Sequence, residues 1–324
     1  MYCRSYSRLL QRIITDFGAD IPFGRIPVKL EEHYGIKVNA SSARKITQSH
    51  GEQILTVTAH EAQSEIQIQK GVQQLIVEMD GTMIPIVQTK SVNQENQKID
   101  RRKTRQVSWR EARLCLVHQQ NSSRRRYGAT LGTVDEAGEK LLDLAIQEGI
   151  GIGTSVHGIG DGASWIANQI KKHFGNQGNY LIDFYHLCDY LATASSRCAP
   201  ENPHRWFEEQ KQKLKSNQIE EVLMILKTHL EAENIPDKLA PVRACYRYMI
   251  NRPGQFNYSD AIEKNLPIGS GKIESAHRYV IQERLKLSGC WWTPQKAKVM
   301  LALRVLRANG NWDNYWQKVS TNQM

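Results

Sequence analysis

Leu75-Ile-Val-Glu-Met-Asp80 is a short apolar run that ends in a carboxylate and is followed by Gly81. It reads as a buried strand delivering Asp80 to the edge of a sheet. Two later segments repeat the device: Gly158-Ile-Gly-Asp161-Gly162 closes one strand-like run, and Leu181-Ile182-Asp183 closes another. A fourth carboxylate, Glu274, opens a helix behind the turn Gly269-Ser-Gly271. Strand ends and a helix start are where a fold can gather distant acids around a divalent metal. Each acid also has a plainer use: Asp161 as a helix cap, Glu274 as the i+4 partner of Arg278, Asp80 in a turn at Gly81.

Around this run, strands and helices alternate. Met83-Ile-Pro-Ile-Val87 extends the first strand as a hairpin arm, with Pro85 favouring an edge or a bulge. Lys90 to Arg110 is polar and basic and reads as a solvated loop; Arg101, Arg102 and Lys103 within it suit contact with phosphates. Further strands are expected at Leu114–His118, Tyr127–Val134, Thr154–Gly160 and Tyr180–Asp183, with helices over Asp135–Glu148 and from Ala163 to Ile170. From about Asp189 to Leu266 strand signals vanish, and the apolar spacing fits one or two long helices followed by another over Val242–Ile250. Helices complete the chain: Lys272 to Leu287, then Gln295 to Ala308 with Thr293 as cap and Pro294 at its first position.

Residues 1–70 read as helical. A helix stopped at Gly35 and a second capped by Ala40-Ser41-Ser42, carrying Arg44 and Lys45, make a candidate helix-turn-helix. The expected organisation is α/β. It comprises this N-terminal region (1–70), the first part of a core (71–188), an all-helical insertion (189–266) and a core completion bearing Glu274 (267–324).

The 324 residues carry 43 Lys and Arg against 33 Asp and Glu, a formal charge of +10, which suits a polyanionic partner. No apolar run reaches the roughly 20 residues of a membrane helix, and Leu9-Leu10-Gln-Arg-Ile-Ile14 is too interrupted for a signal-peptide core, so a cytoplasmic protein is expected. The six cysteines are scattered without zinc-ligand spacing.

Val77-Glu-Met-Asp80-Gly81-Thr82, Gly160-Asp161-Gly162-Ala163-Ser164-Trp165-Ile166, Asp183-Phe-Tyr-His186-Leu187 and Pro267-Ile-Gly-Ser-Gly-Lys-Ile-Glu274-Ser275 together resemble the DDE transposases of bacterial insertion sequences. The likeness is to the branch related to mutator-like and hAT transposases. It extends through Arg284-Leu-Lys286, Trp291-Trp292, Leu303-Arg304 and Trp312-Asp-Asn-Tyr-Trp316. It implies an RNase H-like mixed five-stranded sheet flanked by helices and interrupted by the helical insertion. It also implies two Mg²⁺ or Mn²⁺ ions held by Asp80, Asp161 and Glu274, with Asp183 and His186 as an accessory catalytic pair. The implied partner is DNA, both the element's terminal inverted repeats and its target, handled by a homo-oligomer in the nucleoid. Under that reading Lys272, Arg278, Arg284 and Lys286 line a DNA backbone, and Trp291 and Trp292 stack on a distorted base.

Other readings fit parts of the chain. Gly158-Ile-Gly160-Asp-Gly-Ala163 matches a dinucleotide-binding turn, but an acid within it would repel a pyrophosphate. Gly269-Ser-Gly-Lys272 lacks the other residues of a phosphate loop. A non-catalytic DNA-binding remnant and a stand-alone RNase H-like nuclease remain as alternatives to a transposase.

Overall fold

The computed structural model describes residues 6–61, 71–89 and 105–321; Arg101, Arg102 and Lys103 lie outside them. Five strands form one mixed sheet: β1 (Gln74–Thr89), β2 (Arg105–Gln119), β3 (Arg126–Thr130), β4 (Ser155–Gly160) and β5 (Gly178–Ile182), in the order β3-β2-β1-β4-β5. The β1–β2 and β2–β3 pairs are antiparallel, and β1–β4 and β4–β5 are parallel. This is the α/β class and strand number read from the sequence, and it is consistent with an RNase H-like fold.

Two lengths differ from expectation. β1 runs unbroken through Gly81 and Pro85, and β2 begins at Arg105 inside the stretch read as a loop. Pro85 is tolerated for a geometric reason. The Val87 N–H points away from β2, to the Trp292 carbonyl at 2.8 Å, and backbone groups two residues apart point the same way. The missing N–H of Pro85 therefore faces the side where β4 has already ended, since β4 pairs with β1 only as far as Glu78.

Strand alternation splits the core in two. Leu75, Val77, Met79, Cys115 and Val117 pack against α4 (Val134–Gln147) and α5 (Ser164–Phe174). Ile84, Ile86, Leu114 and Leu116 pack on the opposite face, against α11 and α12 (Pro294–Ala308). Helix α11 spans 271–285 and contains a π segment, His277–Gln282. Five helices occupy the insertion region, against an expected two or three: α6 (Phe184–Cys198), α7 (Pro203–Lys215), α8 (Ile219–Thr228), α9 (Pro241–Ile250) and α10 (Tyr258–Glu263). α7 and α8 are separate helices, with Asn217 between them in a left-handed conformation (φ 57°).

The N-terminal region holds α1 (Arg8–Asp20), α2 (Ile26–Tyr34) and α3 (Ala40–Glu61), around a cluster of Ile14, Ile26, Leu30, Ala43 and Ile46. The cap of α3 is Asn39, whose side chain accepts from the Ser42 N–H at 2.7 Å, not the serines that follow. These helices dock on the C-terminal ones through a Lys296–Glu52 pair at 2.6 Å and an Arg307–Asp20 pair at 2.7 Å. Among the described residues, no helix is long and apolar enough to cross a membrane.

The α1–α3 crossing depends on Gly18. A Cβ there would lie 2.2 Å from Thr47 Oγ1 and 2.7 Å from its Cγ2, on a neighbour that is itself fully buried. Gly18→Val is expected to cost about 1–3 kcal/mol through overpacking, read as a lower urea midpoint at unchanged slope.

Candidate active site

Asp80 and Asp161 come from adjacent parallel strands. Pairing of β1 with β4 stops at Glu78 opposite Ile159, so Asp80 emerges on β1 just as Asp161 leaves the end of β4. Asp80 Oδ1 accepts the Gly81 N–H at 2.6 Å, and its Oδ2 lies 3.2 Å from His277 Nε2 on the π segment of α11. That contact is not an ion pair. Burial pushes the His277 imidazole down to about 4, so it is neutral at pH 7, and neither ring nitrogen makes a well-directed hydrogen bond.

Asp80 itself is pushed up to about 6. Burial is the largest cause; the Gly81 N–H opposes it, and the charges of Asp161, Glu274 and Glu111 raise it further. Glu111 escaped the sequence reading. It reaches the site because residue 81 is glycine: a Cβ there would come within 2.1 Å of Glu111 Oε1. Arg113 neutralises Glu111 while lying 5.4 Å over the Trp165 ring and donating to the Gly132 carbonyl at 2.7 Å.

Glu274 is exposed in the first turn of α11, and two tethers fix that turn. Glu78, fully buried, accepts the Ile273 N–H at 2.9 Å. Burial drives Glu78 up to about 7, with the Ile273 N–H opposing. Its only sequence signal was an acid inside an apolar run. Asp183 supplies the second tether: its Oδ2 accepts from the Ser270 N–H and, at 2.6 Å, from Ser270 Oγ, while Oδ1 caps α6 by accepting the His186 N–H at 2.9 Å. Asp183 is thus buried and committed to positioning, and His186 stands half-buried between the rings of Tyr190 and Tyr248.

The insertion holds the Asp161 turn. Tyr248 Oη donates to the Asp161 carbonyl at 2.6 Å, Arg252 Nε donates to the Gly162 carbonyl at 2.7 Å, and the Gly162 N–H donates to Tyr180 Oη at 3.0 Å. The Arg252 guanidinium lies 4.0 Å over the Tyr248 ring, which stacks on Tyr190 at 4.3 Å. Gly162 sits at φ +85°, where a Cβ would approach Tyr248 Oη to 2.5 Å.

The basic and aromatic candidates divide. Lys272 turns inward to His118 Nε2 at 2.8 Å, Arg278 is exposed beside Glu283 at 3.8 Å, and Lys286 donates to Thr82 Oγ1 at 2.9 Å. Arg284 has no surface to offer DNA. It is fully buried, its guanidinium 4.8 Å from the Phe23 ring and 4.8 Å from the Trp292 ring, two rings that pack edge to face, with Nε donating to the Gly18 carbonyl at 3.0 Å. Trp292 is likewise core, its Nε1 donating to the Leu285 carbonyl at 3.2 Å, and is unavailable for stacking on a base. Trp291 is exposed.

Among the described residues, no group of three or more His, Cys, Asp or Glu side chains is placed to hold a metal ion as the side chains stand. None of Asp80, Asp161 and Glu274 is paired there with a Lys or Arg within the 4.0 Å limit for a salt bridge. The family model of an uncharacterised protein family, UPF0236, matches residues 29–322. The chain belongs to UPF0236. No curated protein matches it. The UPF0236 match begins within α2 and runs past α13 (Trp312–Ser320), so α3, the insertion and the carboxylate-bearing core belong to one family unit.

Gly162→Ala is expected to loosen the Asp161 turn, raising amide exchange over residues 160–164 while β1 stays protected; unchanged exchange would remove the clamp from this account. A pH effect follows from Asp80 and Glu78. Their carboxyls, raised from ordinary values of 3.8 and 4.5 to about 6 and about 7, hold more protons folded than unfolded between about pH 4 and 7. Stability therefore falls as pH rises through that window. Asp80→Asn should gain about 1–2 kcal/mol over wild type at pH 7 and almost nothing at pH 4, in paired denaturant titrations.

Proposed function

We propose that this chain is a DDE-type DNA transposase, cutting the ends of an insertion element and joining them to target DNA. The observation that carries the reading is the convergence of Asp161, Glu274 and Glu111 on the partly buried Asp80, where their charges add to the burial that raises its pKa, with no Lys or Arg paired to Asp80, Asp161 or Glu274 among the described residues. Carboxylate oxygens are the donors that Mg²⁺ and Mn²⁺ prefer, and a cation would relieve this repulsion. Asp80, Asp161 and Glu274 would hold the metal, which when bound supplies charge neutralisation at the scissile phosphate and activation of the attacking oxygen.

The chain's own residues supply position. The Gly81 N–H fixes Asp80, the insertion fixes Asp161 through Tyr248 and Arg252, and Glu78 with Asp183 fixes the turn bearing Glu274. Transfer of a phosphoryl group between oxygens depends chiefly on such placement and on charge stabilisation. The formal charge of +10, with Arg278 and Lys286 on the surface around α11, favours a polyanionic substrate. The helix-turn-helix formed by α2 and α3 exposes Lys37, Arg44 and Lys45 and provides a candidate reader of the element's ends.

The test is cleavage, in Mn²⁺, of labelled DNA bearing the gene's own flanking sequence. Wild type is expected to cut at a repeat boundary, and Asp161→Asn to bind equally while cutting about 10²–10³-fold more slowly. Equal cutting by both would overturn the site. Binding without cutting by wild type would favour a DNA-binding remnant, and cutting indifferent to the repeats a nuclease.

A further inference from the structure

The β1–β2 pair continues beyond the carboxylate centre as an arm. Pairing with β4 ends at Glu78 and pairing with β3 covers only residues 113–117 of β2. One face of the arm is packed: Ile84 and Ile86 are fully buried with Trp292. The other face carries Met83 opposite Glu111, Pro85 opposite Trp109 and Val87 opposite Val107. Met83 is 45% exposed, Val107 44% and Trp109 58%. Met83, Trp109 and Val107 share this face with the buried Pro85 and make an apolar strip, unlike the scattered exposed side chains of an ordinary surface.

The strip has basic surroundings. Arg105 stands at its outer end, 5.3 Å over the exposed Trp291 ring, and Arg113 closes the inner end and neutralises Glu111, the one acid among residues 81–89 and 105–113; Arg110, opposite Ile84 in the register, belongs to the other face. Two arginines against one glutamate leave +1 (2 − 1) on the strip's face. An apolar aromatic platform flanked by arginine matches the exposed face of a nucleobase with its phosphate, whereas two copies of the arm face to face would set like charges together. Pro85, opposite Trp109, is five residues from Asp80, about 17 Å along a strand, or roughly five steps of B-form DNA.

We infer that this face of the arm is a second nucleic-acid contact, where Trp109, Met83 and Val107 stack on unpaired or distorted bases flanking the cut while Arg105 holds the backbone. The inference rests on the DNA reading above and names where the flanking strand lies.

Fluorescence anisotropy without divalent metal tests it, using a labelled single strand of about 20 nucleotides and the matching duplex. Trp109→Ala is expected to weaken single-strand binding about tenfold, with little change for duplex and no change in salt slope, and Trp109→Phe to restore most of the loss. Arg105→Ala should lower the salt slope by about one. Single-strand affinity unchanged in Trp109→Ala would overturn the inference. So would a shift from dimer to monomer in sedimentation with DNA binding intact, which would make the strip a self-association face. Loss of wild-type cutting alongside a preserved Trp109 effect would sink the enzyme reading alone.

Discussion

One hydrogen bond from a water-excluded carboxylate holds the two halves of the site together. Glu78 on β1 accepts the Ile273 N–H at the start of α11, so the helix bearing Glu274 is pinned to the strand bearing Asp80. Its other oxygen, Oε1, has no partner, and burial drives the group up to about 7. Such a group costs stability wherever it stands, and an apolar residue would pack better. What it secures is register: α11 can neither slide nor rotate against β1 without leaving a second oxygen unsatisfied. Asp183 repeats the device three residues earlier, at Ser270.

Basic groups surround this centre without neutralising it. Arg113 is spent on Glu111, Arg252 on the Gly162 carbonyl, Lys272 on His118 and Lys286 on Thr82. Each is oriented by a specific partner, so it shapes the site's walls while the repulsion among Asp80, Asp161 and Glu274 persists. Under the proposed reading a bound cation would relieve that repulsion.

The strands were legible from their apolar runs, and five runs gave five strands. Asp161 and Asp183 do follow strand ends, but Asp80 lies within the central strand β1, just past the end of its pairing with β4, and not at a sheet edge. Gly81 and Pro85 concealed how far β1 extends, since both punctuate a sequence. Gly81 answers to Glu111 across the strand, and Pro85 to the point at which β4 stops. Charge pattern misplaced Arg284, because its burial comes from Phe23 and the Gly18 carbonyl, contributed by a region more than 260 residues away. The Tyr248 and Arg252 clamp left no local signal either: its partners are 87 and 90 residues upstream.

Those separations also bear on how the protein comes into being. The Asp161 turn is not held until the ribosome has passed Arg252, and Glu78 stays without its partner until Ile273 has been made, 195 residues later. At roughly 5–20 residues per second that interval is about 10–40 s. For the later part of it, Asp80 and Asp161 exist in a nascent chain in which Glu274 has yet to be made. The order of the elements along the chain thus leaves the carboxylate cluster incomplete until residue 274 of 324 has been translated.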